Sequence, residues 1–198
     1  MNEFHFDTII STQELISAIA RGADPKYVFF WGHRPAAEDT ITKTCFSQWF
    51  EAPFIVDGDR YQTAEHFMMA EKARLFRDEE TRQQVLVAAT PAEAKKLGRG
   101  VRNFQDSLWL AERFGIVVNA NMAKFSQNPL MAEFLLGTGD RVLVEASPVD
   151  SIWGIGLATD SPDASRPDRW PGLNLLGFAL MQVRSALRND AAVKDPQS

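Results

Sequence analysis

Glu65 and Lys72 are an acid and an amine seven residues apart in the segment Tyr61-Gln-Thr-Ala-Glu-His-Phe-Met-Met-Ala-Glu-Lys-Ala-Arg-Leu-Phe76, whose composition predicts a helix. At ~100° per residue, that spacing returns to within about 20° of the same face, two turns further along. On this wheel Met68, Met69, Ala73, Leu75 and Phe76 flank the two charges, while Glu71, Arg74, Arg77 and Asp78 fall to the sides and rear. Burying such groups costs several kcal/mol unless they are paired, so the pattern means either a structural ion pair or a catalytic one. A sheltered carboxyl can move protons, and a desolvated lysine amine can attack an electrophilic carbon. Apolar surroundings would keep Glu65 neutral, and a neighbouring Lys72 ammonium would oppose that.

Such groups need rigid elements to hold them. Ser11-Thr-Gln-Glu14 matches a capping box, and Leu15, Ile16 and Ile19 follow at helical spacing before Gly22 and Pro25. This predicts an accessory helix within residues 1–26. Residues 27–31 read as a buried strand that leaves through Gly32-His-Arg-Pro35. Residues 46–50 and 54–56 are aromatic and β-branched enough for strands. Asp57-Gly58 predicts a hairpin turn that returns along Arg60-Tyr-Gln, placing a floor beneath the helix of Glu65.

From Asp78 onward the pattern is mainly helical. One helix covers residues 78–86, and Thr90-Pro-Ala-Glu93 opens the next, which runs to Gly98 and Gly100. Further helices are predicted at 107–126, at 130–136 before Gly137, and at 173–187. Arg141-Val-Leu-Val-Glu-Ala is a strand. Residues 158–172, with Pro162, Pro167 and Pro171, form a polar loop of a length typical of lids and binding loops. Residues 190–198 read as a disordered tail. The expected fold is α+β and predominantly helical, with a small antiparallel β element packed on a helical body. Residues 27–189 form its single catalytic domain.

The 198 residues suffice for one core, and 45% hydrophobic with 24% charged residues is ordinary for a globular chain. A net charge of −5 argues against a broad nucleic-acid footprint, though not against a local basic cleft. Cys45 is alone, and His5, His33 and His66 lack metal-like spacing, so neither a disulfide nor a zinc site is expected. No secretory leader or bilayer-length apolar run is visible, which predicts a cytoplasmic protein without membrane contact.

Several blocks in order resemble the NADAR superfamily, also called YbiA-like. The central one is Tyr61-x-x-x-Glu65-His66-x-x-x-x-x-Lys72-Ala73. Phe46-Ser47-Gln48-Trp49 with Phe54, Gly98-Arg99, Trp109, Lys124-Phe125 with Asn128-Pro129, Asp150-x-x-Trp153-Gly154 and Asn174-x-Leu-Gly177 complete the match over about residues 29–187. Gln48 departs from the usual asparagine, and Ile155 replaces a residue that is often polar. The resemblance implies an N-glycosidase. Its substrate would be a ribosylamino-pyrimidine phosphate of early riboflavin synthesis or, alternatively, ADP-ribose on guanine in nucleic acid. A non-catalytic NAD or ADP-ribose binding module is a third reading. Partners would be a small phosphorylated ribosylamine or an ADP-ribose-type ligand, with nucleic acid only under the alternative and no cofactor or metal.

Breaking a ribosyl–nitrogen bond requires charge stabilisation at C1′, a proton for the leaving nitrogen, and a nucleophile. Glu65 is the candidate acid–base group. Lys72 is the candidate Schiff-base nucleophile on the ring-opened sugar, with Lys124 behind it. Asp150 either orients ribose or base, or caps a turn. Trp109 and Trp153, the latter beside Gly154, either stack on the base or pack in the core. Ser47 and Gln48 either hold the ligand through hydrogen bonds or bond within their turn. Arg99, between two glycines, offers a forked phosphate contact or a helix-terminal cation, with Arg34 as a weaker second. His33 and His66 read as structural or surface residues, and Met68 with Met69 as core.

Overall fold

The central helix begins because Thr63 caps it: its extended backbone (φ −144, ψ 162) turns the chain, and its hydroxyl accepts from the His66 amide. The computed structural model describes residues 5–34 and 40–194. In chain order its elements are α1 (Thr12–Ala20), β1 (Tyr27–Phe30), β2 (Phe54–Val56), β3 (Asp59–Tyr61) and α2 (Ala64–Leu75). There follow α3 (Glu79–Leu86), α4 (Pro91–Arg99), α5 (Asp106–Ser126), α6 (Pro129–Leu136), β4 (Val142–Glu145) and α7 (Leu175–Lys194). The chain is mostly helix with a little sheet, as its patterning predicts.

Every residue from Ala64 through Ala70 is buried, so α2 has protein around it rather than one apolar face and one wet face. It packs against α3, α4 and α5, and α5 packs on α7. Close approach of α2 and α4 depends on Gly98, where an added Cβ would fall 2.1 Å from Met69 Sδ and 3.1 Å from its Cβ. The small residue at 98 therefore serves helix packing, not ligand approach. The hairpin is indeed a floor: Phe67 of α2 meets Tyr61 and Phe54 with ring centroids 5.0 and 6.0 Å apart. Asp57 (φ 52) and Gly58 (φ 87) make its two-residue turn.

Besides this antiparallel hairpin, the sequence hides a second, parallel sheet. β1 pairs β4, with Tyr27 opposite Val142 and Phe30 opposite Glu145. Two side-chain amides extend these two-stranded sheets. Gln127 accepts from the Ile55 amide at 2.9 Å and donates to its carbonyl at 2.8 Å. Asn174, fully buried with φ 53, accepts from Glu145 N at 3.0 Å and donates to Leu143 O at 2.9 Å.

Three expectations need correction. Residues 46–50 do not form a strand: a 3-10 turn over Lys43–Phe46 is followed by an irregular bend. Its backbone is satisfied elsewhere, because Lys124 donates to the carbonyls of Cys45 (2.6 Å) and Ser47 (2.9 Å), and Gln48 O accepts from Glu65 N (2.9 Å). The last helix continues to Lys194, past the expected end at 187 and into the expected tail, while residues 195–198 lie outside the described residues, as does Pro35. The 158–172 loop is no open flap. Ala164 and Trp170 are buried, the Trp170 indole donates to Ala164 O at 2.8 Å, and its Pro167–Arg169 turn rests on α1.

The N-terminal segment is tied down by charge. Fully buried Arg184 donates to Asp7, Thr138 Oγ1 (2.7 Å) and Arg141 O (2.9 Å), and Arg188 bridges Asp7 and Asp140. Among the described residues no helix is long and apolar enough to cross a membrane.

At Gly177 a Cβ would meet Leu143 O at 2.1 Å and the Asn174 amide at 2.5 Å, both held in place. Gly177→Ala is therefore expected to lower unfolding stability by on the order of 1–3 kcal/mol, read as a reduced urea midpoint with an unchanged m-value.

Candidate active site

Glu65 sits in the first turn of α2, where its backbone amide is held by Gln48 O and where a negative charge meets the helix N-terminus. It is 2% exposed, and its Oε1 finds no hydrogen-bond partner among the described residues. Burial pushes its carboxyl up to about 7. Lys95, a hydrogen bond from Trp49 and Arg99 pull the other way, and Asp150 adds to the rise. At neutral pH this group can therefore either give or take a proton.

A second carboxyl lies within electrostatic reach. Glu145 ends β4, its amide bonded to Asn174 and its carbonyl accepting from Ile155 N at 2.9 Å. Its Oε2 is buried and also unpartnered among the described residues, although the residue as a whole is only partly buried. Burial first, then Asp150 and Glu65, push this acid up to about 8, with Lys95 opposing. One lysine thus faces two carboxyls, 5.7 Å from the ring of Trp49.

Asp150 occupies this neighbourhood, but its Oδ1 accepts from the amides of Ile152 (2.9 Å) and Trp153 (2.8 Å). It caps its turn, and its charge bears on both glutamates. Gly154 is required there: a Cβ would come within 2.8 Å of Glu145 O and 3.0 Å of Asp150 O. Trp153 is half-buried against the core, its carbonyl accepting from Leu176 N.

Lys72 does not pair with Glu65. Its Nζ donates to Gly98 O at 2.8 Å and lies 4.3 Å from the Phe104 ring centroid and 5.4 Å from that of Trp109. Burial lowers its amine and Asp106 opposes, while the cations acting on Glu65 are Lys95 and Arg99. The two residues chosen from the wheel therefore stand in separate settings along one helix, and Trp109 belongs to that of Lys72. Arg99 is exposed at the end of α4, near enough for its charge to reach Glu65.

Lys124, expected near a ligand, is instead sealed in the core. With no exposure, it spends its donors on the turn at 45–47, and burial lowers its amine to about 8. Ser47 binds within that turn, its hydroxyl accepting from Trp49 N. Gln48 is buried, its Oε1 accepting from Asn121 and its Nε2 left without a partner among the described residues. The turn thus delivers Gln48 and Trp49 to Glu65.

Trp49 also lines an adjoining cleft of about 670 Å³, together with His33, Arg34, Phe50, Thr63 and His66. His66 is structural here, its ring bonded to Thr63 Oγ1 (2.8 Å) and Ala88 O (3.1 Å). Among the described residues no group of three or more His, Cys, Asp or Glu is placed to hold a metal ion.

Sequence reasoning missed Trp49, Lys95 and Glu145. A glutamate closing the apolar run Val142-Leu-Val was the visible signal for Glu145, and Lys95 stands one helical turn before Arg99. Trp49 lay inside the quoted Phe-Ser-Gln-Trp block but was passed over for its polar neighbours.

The NADAR domain profile matches residues 29–188. An N-glycosidase of Acanthamoeba polyphaga mimivirus is 43% identical over 164 residues, covering 80% of this chain and 95% of its own. N-glycosidase YbiA of Escherichia coli is 30% identical over 142 residues, covering 72% and 80%. The NMR structure of E. coli YbiA matches with a TM-score of 0.62 at 26% identity, over 89% of this chain and 90% of that one. This chain belongs to the NADAR domain family, and it is an N-glycosidase.

Proposed function

We propose that the substrate is a phosphorylated ribose joined through C1′ to nitrogen, specifically a ribosylamino-pyrimidine phosphate of early riboflavin synthesis. The observation that carries this reading is the buried Oε1 of Glu65, which finds no partner among the described residues, with Lys95 and Arg99 near enough for their charges to reach it. A carboxyl near 7 suits proton transfer to or from a glycosidic centre, and the cations suit the substrate phosphate. Glu65 is the acid–base group. Trp49 and Gln48 orient the sugar or base, and Arg99 attracts the phosphate. Asp150 acts through the glutamates it faces.

The adjoining cleft of about 670 Å³, with Arg34 at its wall, favours one second reading. A longer ligand, such as ADP-ribose on guanine, would reach it past Trp49. Incubation with each compound separates the two: release of the amino-pyrimidine is expected, and release of guanine alone would move the assignment to the longer ligand.

Glu65→Gln is expected to lower kcat by about 10²–10⁴-fold. The same variant tests the electrostatics without substrate. Wild-type Glu65 keeps its proton in the folded state up to about 7 and loses it near 4.5 when unfolded. The folded state therefore binds more protons between these values, and its stability falls as pH rises through them. Denaturation of Glu65→Gln should show a shallower fall, since Glu145 still contributes its own, and should exceed wild type above pH 7; an unchanged slope would contradict the assigned burial.

Borohydride added during turnover tests the route. Direct attack by water predicts an unmodified Lys72 peptide by mass analysis, whereas a reduced ribosyl adduct on Lys72 would establish an imine intermediate.

A further inference from the structure

Two acids, Glu65 and Glu145, lie within electrostatic reach of one another, and proton transfer by Glu65 alone leaves Glu145 without a role. Glu65 Oε1, Glu145 Oε2 and Gln48 Nε2 are all buried side-chain atoms without a hydrogen-bond partner among the described residues. Each such orphan is costly to bury, so several in one neighbourhood mark a place built for something other than stability. Glu145 is held with unusual care. Asn174 fixes its amide, Ile155 its carbonyl, and Gly154 lets the following loop close against that carbonyl. The residue nevertheless keeps part of its surface open, which a purely structural acid at a strand end does not need.

We propose that Glu145 is the second catalytic carboxyl of this site, so that it acts as acid while Glu65 acts as base. The proposal rests on the N-glycosidase reading for its substrate, but not for the coupling of the two acids. Repulsion between neighbouring carboxylates is mutual, and Asp150 adds a third negative charge that acts on both. Two cations, Lys95 and Arg99, and the Trp49 indole favour ionised Glu65, whereas Lys95 alone opposes the rise at Glu145. These contacts make Glu65 the better base and Glu145 the better acid.

The step balances. As the C1′–N bond breaks, its electron pair goes to nitrogen, and Glu145 supplies that nitrogen with its proton. A water oxygen bonds to C1′, and the proton it sheds goes to Glu65. The products are a ribose with a free anomeric hydroxyl and a free amine. Return of the proton from Glu65 to Glu145 restores the pair without net gain or loss.

The test uses the full chain with Glu145→Gln, Glu145→Asp and Glu65→Gln. Carbon-13 titration of the glutamate carboxyls needs no substrate: wild type should show midpoints near 7 and 8, and Glu65→Gln, which removes the neighbouring negative charge, should lower the Glu145 midpoint. In the ribosylamino-pyrimidine phosphate assay, Glu145→Gln should lose about 10²–10⁴-fold in kcat with little change in KM. The alkaline limb of its pH–rate profile should disappear, while Glu145→Asp restores that limb. An unmoved Glu145 midpoint in Glu65→Gln, or a Glu145→Gln variant that keeps both rate and alkaline limb, would overturn the proposal. If wild type turns over neither substrate, the substrate reading fails while the titration still decides whether the two acids are coupled.

Discussion

A carboxyl kept from water, with no salt bridge among the described residues, is the constraint on which this molecule is built. Burial pushes the Glu65 carboxyl up while Lys95, the Trp49 indole and Arg99 only partly oppose it, and such an arrangement survives only if the core around it is secured elsewhere. That explains why α2 is enclosed by α3, α4 and α5 and why Phe67 is clamped over the hairpin. It also explains the investment at Lys124. A fully buried amine would be costly alone, but it supplies two strong donors to a bend that has no strand partner. The bend then fixes Gln48 and Trp49 against the first turn of α2. One buried charge thus positions the surroundings of another at a distance of several residues.

Much of this was legible because it is local. The Asp57-Gly58 turn, the Thr90-Pro91 helix start and the capping box at Ser11 depend on neighbours within four residues, and the chain obeys all of them. The unusual setting of Glu65 was legible for the same reason, through helical spacing. The partner assigned to it was not. Sequence spacing places Lys72 on the same face but cannot say that Gly98 O and two aromatic rings take its amine. The actual cations, Lys95 and Arg99, come from another helix.

The remaining failures share that cause. The strand misread at 46–50 has strand-like residues, yet its backbone is claimed by Lys124 and Glu65, both distant in sequence. Pairing of β1 with β4 joins residues more than a hundred positions apart. No local pattern specifies it, because loop closure over such a span is decided by the core that forms between. Glu145 owes its setting to this sheet and to Asn174, so it became visible only with the fold.

The two amide side chains at the sheet margins have a consequence beyond placing Glu145. A two-stranded sheet ordinarily presents bare backbone along its border, an invitation for a foreign segment to zip on. Here Gln127 and Asn174 each occupy one donor and one acceptor along such a border, as a third strand would. Replacing Gln127 by a residue of similar size without the amide would bare the exposed border at Ile55 to other molecules, whereas at fully buried Asn174 it would leave Glu145 N and Leu143 O unsatisfied inside the protein.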